Sequence, residues 1–322
     1  MGEFELIERY FTRPARAQRA SGGIVLGVGD DCALLQPRPG MQLAVSSDML
    51  VEGRHFLSTV PPAHLGHKAL AVNLSDLAAC GAEPMAFTFA WSLPRADEAF
   101  VAGVAQGLLA LADRHGIELV GGDTTAGPLN LCITVFGQVP AGQALLRSGA
   151  QVGDAVWVSG QLGDARLALE VFRGQLSLPA EAFSQVRQAM ELPEPRVALG
   201  QALRGLATSC IDLSDGLIGD LGHILKRSRV GAVVEPHRLP RSAVLARQAA
   251  ALQQTCLLAG GDDYELLFTA PAAAHAEVLV AASRAGVPAT CCGCIVAEPG
   301  LRFVDEAGAA LTIQEHGFDH FA

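Results

Sequence analysis

Lysine is nearly absent from this 322-residue chain: Lys68 and Lys226 are the only two among 23 basic residues, and 33 acidic residues leave a formal net charge of −10. A basic stripe that could track a nucleic-acid duplex cannot be assembled from that, so no nucleic-acid partner is expected. Long apolar runs are missing as well. No window approaches the ~18 consecutive apolar residues that a membrane span requires, and the longest candidate, around Phe87 to Leu93, is bounded by Pro84 and Pro94. The opening Met1-Gly2-Glu3-Phe4-Glu5 has neither the basic region nor the apolar core of a signal peptide. The expectation is a cytoplasmic protein without a membrane partner.

The familiar phosphate-binding signatures are also lacking. There is no GxxxxGK[ST], since neither lysine follows the required glycine. Gly27-Val28-Gly29 opens a GxG, but no glycine completes GxGxxG. The lysine, HRD and DFG set of protein kinases is absent, and so is a GxSxG elbow. Cysteine is present, at 32, 80, 132, 210, 256, 291, 292 and 294, yet mostly inside apolar segments. Cys291-Cys292-Gly293-Cys294 contains one CxxC with no second pair at zinc-site spacing, so small buried side chains are the better reading.

Half of the residues are apolar and only 17% are charged, which suits two well-filled cores in a chain of this length. Residues 23–28 and 42–47 read as strands that each run into aspartate, 63–79 and 97–115 as helices, and 86–92, 117–121 and 131–139 as strands. The Gly122-Asp123-Thr124-Thr125 stretch reads as a loop. The boundaries expected are an N-terminal domain over 1–139, a Gly- and Ala-rich linker over 140–154 and a C-terminal domain over 155–322. In the second half, strands at 155–159, 208–213, 264–269, 289–296 and 301–304 alternate irregularly with helices at 164–173, 196–206, 217–228 and 271–285. Without a strict βαβ repeat, the class is α+β.

Where the carboxylates fall is the informative pattern. Asp30-Asp31, Asp48 in Ser46-Ser47-Asp48, Asp123, and Asp212 with Asp215 each follow an apolar segment beside Gly or Ser. Asp76 sits in a helix three residues after Asn73, so both side chains share one face. Taken singly, each aspartate is equally well a cap or turn residue. As a converging set they demand a counter-charge: two carboxylates about 5 Å apart repel by roughly 3 kcal/mol at an effective dielectric near 20. A donor set of oxygens alone points to Mg²⁺ or Mn²⁺, and Mg²⁺ is held by carboxylates together with substrate phosphate. Arg147 is a candidate phosphate partner, although a solvated linker charge explains it as well.

In order along the chain, Gly27-Val28-Gly29-Asp30-Asp31-Cys32-Ala33, Ser47-Asp48, Lys68 to Ala79 (KALAVNLSDLAA), Gly121-Gly122-Asp123-Thr124-Thr125, Ile211-Asp212-Leu213-Ser214-Asp215-Gly216, Gly261-Asp262-Asp263-Tyr264-Glu265 and the tail Gly317-Phe318-Asp319-His320-Phe321 resemble the thiamine-monophosphate kinase family. That family lies within the superfamily of aminoimidazole-ribonucleotide synthetase. The resemblance implies two domains of that type, with N-terminal sheets paired into a barrel in a homodimer. It implies transfer of the γ-phosphoryl group of ATP to thiamine monophosphate, with several Mg²⁺ ions. Carried over residue by residue, the metal ligands would be Asp31, Ser46, Ser47, Asp48, Asp76, Asp123, Asp212 and Asp215, with Asp48, Asp76, Asp123 and Asp215 at the centre of catalysis. ATP would meet Gly122, Asp123, Arg147 and Ser214, and thiamine monophosphate would meet His55, Asp262 and Phe318.

Asp262 departs from the family's usual Glu by one methylene, which puts a direct substrate contact in doubt. His55 reads equally as an exposed loop histidine, and Phe318 as a packed tail residue. Two alternatives stay open: another ATP-dependent synthetase of the superfamily, and a nucleotide and metal sensor without catalysis.

Overall fold

A computed structural model describes residues 7–11 and 23–315. The chain divides into two compact units, one of Met1–Leu77 with Ala82–Gly142 and one of Ala78–Gly81 with Gln143–Ala322.

The first unit opens with a small antiparallel pair, β1 (Ile24–Leu26) and β2 (Leu34–Leu35). Its main sheet is built from β3 (Met41–Val51), β4 (Glu83–Leu93), β5 (Glu118–Ala126) and β6 (Asn130–Pro140) in the order β3-β6-β4-β5. Two helices, α1 (Pro62–Ala79) and α2 (Glu98–His115), complete it. Pro62 suits the first turn of α1, where its missing N–H leaves no partner unsatisfied. Asp97 caps α2 by accepting the Ala99 and Phe100 amides, each at 3.1 Å, and Gly116 ends it at φ 64°. The core lies between the helices and one sheet face, with Leu70, Leu74, Leu108 and Leu111 buried together with Phe87, Trp91, Leu131 and Ile133. The helices approach closely through glycine: a Cβ on Gly107 would lie 1.8 Å from the Ala63 carbonyl oxygen. On β3, alternate residues Leu43, Val45, Met49 and Val51 remain exposed.

The second unit holds a seven-stranded sheet in the order β13-β12-β9-β11-β7-β10-β8. The strands are β7 (Asp154–Ser159), β8 (Ser209–Asp212), β9 (Gly231–Val234), β10 (Leu266–Pro271), β11 (Ala289–Val296), β12 (Gly300–Val304) and β13 (Ala310–Leu311). The helices are α3 (Asp164–Phe172), α4 (Ala180–Glu191), α5 (Val197–Ala202), α6 (Leu217–Ser228), α7 (Ala243–Ala246), α8 (Ala250–Ala259) and α9 (His275–Arg284). Among the described residues of this unit, β9 and β12 pair in parallel and the other pairings are antiparallel. The core joins Val156 and Val158 of β7 to Leu221 and Ile224 of α6 and Leu257 and Leu258 of α8. Cys210, Cys256 and Cys292 are buried, whereas Cys32 and Cys294 are exposed.

Mixed helix and sheet in each unit agrees with the α+β class, but several expected boundaries move. Asp48 and Asp123 lie inside strands, not at their ends, and the expected loop 122–125 is part of β5. Antiparallel pairing with β6 carries β3 through Ser46-Ser47-Asp48 to Val51, overriding the low strand preference of serine and aspartate. The first strand is only Ile24–Leu26, and α5 is shorter than the expected 196–206. β9, α4 and α8 have no counterpart in the sequence reading.

Candidate active site

In the first unit, hydrogen bonds tie Ser46 and Asp48 of β3 to Asp76 and Asn73 of α1. The Ser46 hydroxyl donates to the Asp76 carboxylate. Two residues on, the Asp48 amide donates to Asn73 Oδ1 at 3.1 Å, and Asn73 in turn donates through Nδ2 to the Ala69 carbonyl at 3.0 Å. Strand alternation explains this grouping, because Ser46 and Asp48 share the face that looks onto α1. Ser47 takes the other face and pairs with Thr134, 3.0 Å between hydroxyls. Asp31 lies in the exposed turn after β1, where its amide donates to Asp30 Oδ1 at 2.9 Å.

Asp123 stands apart from this group. Register sets Asp48 level with Ile133 of β6, Phe89 of β4 and Gly122 of β5, so Asp123 lies on the far edge strand, one residue further along. Three strand spacings make about 14 Å across a flat sheet, whereas Mg²⁺ holds its oxygens at about 2.0–2.1 Å. Gly122 is confined to glycine, since a Cβ there would meet the Phe89 carbonyl oxygen at 1.9 Å.

His55 sits in a tight turn after β3. Its Nδ1 accepts the Val51 amide at 2.9 Å, leaving the ring hydrogen of the neutral form on Nε2. Lys68, buried in α1, donates to the His55 carbonyl at 3.3 Å.

In the second unit, β8 delivers Asp212, which is buried, into the turn Leu213-Ser214-Asp215-Gly216 that starts α6. The sequence reading missed the residue that shapes this turn. Asp220, on the first turn of α6, accepts the Asp215 amide at 3.1 Å. Burial and then the Asp215 charge push its carboxyl up to about 7, while the backbone N–H groups of Asp215 and Ser214 and the Arg147 guanidinium pull it down. An aspartate four residues into an apolar helix gives no motif to find it by. Arg147 is exposed and anchored by its backbone, its carbonyl accepting the Ser228 hydroxyl at 3.3 Å.

Asp262 lies on a strained stretch at φ 61°, with its Oδ1 accepting the Tyr264 hydroxyl at 3.1 Å. Its amide donates to the Ser214 carbonyl at 2.9 Å, so the expected acceptor and nucleotide residues touch through backbone. Behind them, Glu265 is buried and is held by Arg196, with Nε to Oε2 at 2.7 Å, and by the Ser159 hydroxyl. Phe318 lies outside the described residues.

The donors fit Mg²⁺ in kind. Serine and aspartate oxygens are hard ligands, and one or two carboxylates suffice where phosphate supplies the rest. No three His, Cys, Asp or Glu side chains gather around one point among the described residues.

Comparison with known proteins identifies both domains. Residues 29–139 match the AIR synthase related protein, N-terminal domain, and residues 151–306 match the C-terminal domain of the same group. The chain is 46% identical over 324 residues to the thiamine-monophosphate kinase of Salmonella typhimurium, covering 100% of this chain and 98% of that one. The crystal structure of thiamine-monophosphate kinase from Stenotrophomonas maltophilia K279a superimposes with a TM-score of 0.84 at 45% identity, covering 90% and 92% of the two chains. The structure of AaThiL complexed with AMPPCP and TMP gives a TM-score of 0.76 at 27% identity, covering 88% of each. Likeness of this extent leaves one assignment: two AIR synthase related domains make up the chain, and it belongs to the thiamine-monophosphate kinase family.

Proposed function

We propose that this chain transfers the γ-phosphoryl group of ATP to the phosphate of thiamine monophosphate, giving thiamine diphosphate and ADP by direct in-line displacement. A phosphate oxygen of the acceptor attacks the γ-phosphorus, the bond to the β,γ-bridging oxygen breaks, and ADP leaves with that electron pair. The acceptor oxygen is already ionised at neutral pH, so no strong general base is needed. What supports the reading is that Ser46 pairs with Asp76 and the Asp48 amide with Asn73, at one strand–helix junction of a chain that resembles thiamine-monophosphate kinases over its whole length.

In this reading Asp31, Ser46, Ser47, Asp48, Asp76 and Asp123 of the first unit, and Asp212 and Asp215 of the second, would be Mg²⁺ ligands, divided among several ions, because Ser47 faces away from Ser46 and Asp48 and Asp123 lies across the sheet from them. Magnesium bound there would neutralise the negative charge of the phosphates and that which develops on the transferred group. The chain's own residues do the rest. Gly122 lets backbone approach a phosphate without a side chain in the way, and Arg147 and Ser214 supply hydrogen-bond donors to the nucleotide. His55 offers Nε2–H to the acceptor, and Phe318 an aromatic face for the cationic thiazolium.

The active form is a homodimer in this reading. Among the described residues β3 and β5 are the edges of the first unit's sheet, and Leu43, Val45 and Met49 leave an apolar face beside one of them. A second copy closing the sheet at these edges covers that face and brings the carboxylates of two chains toward each other. The deciding experiment is an ADP-release assay with ATP and Mg²⁺ across thiamine, thiamine monophosphate and an aminopyrimidine phosphate. Turnover is expected with thiamine monophosphate alone. ADP release that ignores the acceptor, or none with any of the three, refutes the assignment.

A further inference from the structure

Three of the four residues from Gly261 to Tyr264 carry left-handed backbone, with φ of 70° at Gly261, 61° at Asp262 and 50° at Tyr264. Glycine adopts this freely and aspartate tolerates it, but a tyrosine holds it only where its surroundings impose it. Those surroundings are visible. The Asp262 amide donates to the Ser214 carbonyl at 2.9 Å, Tyr264 to Leu213 at 2.8 Å, and Leu213 in return to Glu265 at 2.8 Å. A Cβ on Gly261 would lie 2.8 Å from the Ser214 carbonyl oxygen, so the two segments are also in close contact. Residues 261–265 and 213–214 are thus laced together as one piece of backbone.

The anchor on the opposite side is Asp263. Its Oδ1 accepts the Gly163 amide at 2.8 Å. Gly163 has φ 88°, and a Cβ there would meet Leu245 at 2.9 Å and Cys256 at 3.0 Å, so the donor is itself fixed. Asp262 and Asp263 are therefore divided in role: the first is tied to Tyr264 within the stretch, and the second faces the interior. Burial holds the Asp263 carboxyl well above the usual carboxylate range, against the downward pull of the Gly163 amide and with the Glu265, Asp164 and Asp262 charges adding to the rise.

We propose that Asp263 is a positioning residue for both ligands: by pinning the stretch 261–264 to Gly163 it places Asp262 and Ser214 as one rigid pair, so that acceptor and nucleotide binding depend on a shared anchor. The inference rests on the roles given to Asp262 and Ser214 above and adds that the two contacts cannot be loosened separately.

Asp263→Ala removes the acceptor for the Gly163 amide, whereas Asp263→Asn keeps an oxygen there. The alanine variant is expected to raise the KM for ATP and for thiamine monophosphate together, each about tenfold, and to weaken nucleotide binding in calorimetry by the same factor. The asparagine variant should stay within about twofold of wild type in both. A purely structural role would lower Tm and the active fraction while leaving both KM values unchanged. That result, or a rise in one KM alone, overturns the proposal. Should Asp263→Ala not fold, Asp263→Ser, whose hydroxyl ends one bond short of the Gly163 amide, carries the same two expectations. A wild-type protein that binds nucleotide but leaves thiamine monophosphate unphosphorylated overturns the function instead, and the calorimetric comparison of the variants still decides whether Asp263 governs the nucleotide contact.

Discussion

The hydroxyl of Ser46 on β3 donates to the carboxylate of Asp76 on α1, joining a strand and a helix of the first unit at the proposed metal site. Partners that orient a metal-binding carboxylate matter nearly as much as the ligand itself. Ser46→Ala should therefore cut kcat/KM about 10- to 100-fold and raise the Mg²⁺ concentration needed for half-maximal rate. An unchanged Mg²⁺ dependence would remove Ser46 from the site.

Asp48→Asn and Asp215→Asn keep shape while removing charge, and each should lower kcat about a hundredfold or more if metal-held phosphate is the reacting group. In wild-type protein, Mg²⁺ with nucleotide at about 100 times Kd should add ~2.7 kcal/mol of stability, or roughly 5–10 °C in Tm. Thermal melts with nucleotide alone, with Mg²⁺ alone and with both separate the contributions; no shift with both at saturation counts against the site.

Gly160 and Gly142 both have positive φ, at 57° and 76°, but their surroundings differ. A Cβ at Gly160 would lie 1.8 Å from Glu265 Oε1, while at Gly142 nothing lies within 4 Å. Gly160→Ala must displace Glu265 from Arg196 and Ser159, and disturbing a buried pair costs about 3–5 kcal/mol. Gly142→Ala should cost only the conformational strain of about 1–2 kcal/mol. Urea denaturation of the two variants side by side gives the comparison, and equal midpoints would contradict it.

Burial lifts the Asp164 carboxyl above its ordinary range, while the Ser242 hydroxyl, donating at 2.6 Å, pulls it down. The folded protein therefore keeps this proton to higher pH than the unfolded chain, in which aspartate titrates near about 3.9. The group's stabilising contribution is complete below that value and is lost as pH rises through the raised folded value. Asp164→Asn should give a shallower decline of stability with pH from about pH 4 upward. Denaturant midpoints across that range, with Asp263 left intact, report the difference in slope.

The motifs were readable because their chemistry requires particular residues in a fixed order, and Asp212-Leu213-Ser214-Asp215-Gly216 does sit in a turn after a strand, as its composition suggests. Asp48 and Asp123 read as strand ends for a related reason, although both lie inside strands. Serine, glycine and aspartate look like strand terminators locally, yet long-range pairing with β6 and β4 keeps those strands going. The residues that support the site were harder to see. Asp220 acts from within a helix, and Glu265 works through Arg196, 69 positions away in sequence. α4 was hidden between prolines, although Val186 and Met190 bury one of its faces.

The distribution of sulfur gives the chain a built-in reporter of its own opening. Cys210 and Cys292 are sealed, their thiols pushed far up by burial, and Cys256 is pushed up to about 12. A maleimide should therefore tag Cys32 first in the native protein and Cys294 more slowly, because partial burial and the Glu235 charge raise that thiol. The three sealed thiols can react only as fast as the second unit breathes, so their labelling rates convert local unfolding into a mass change that can be counted residue by residue.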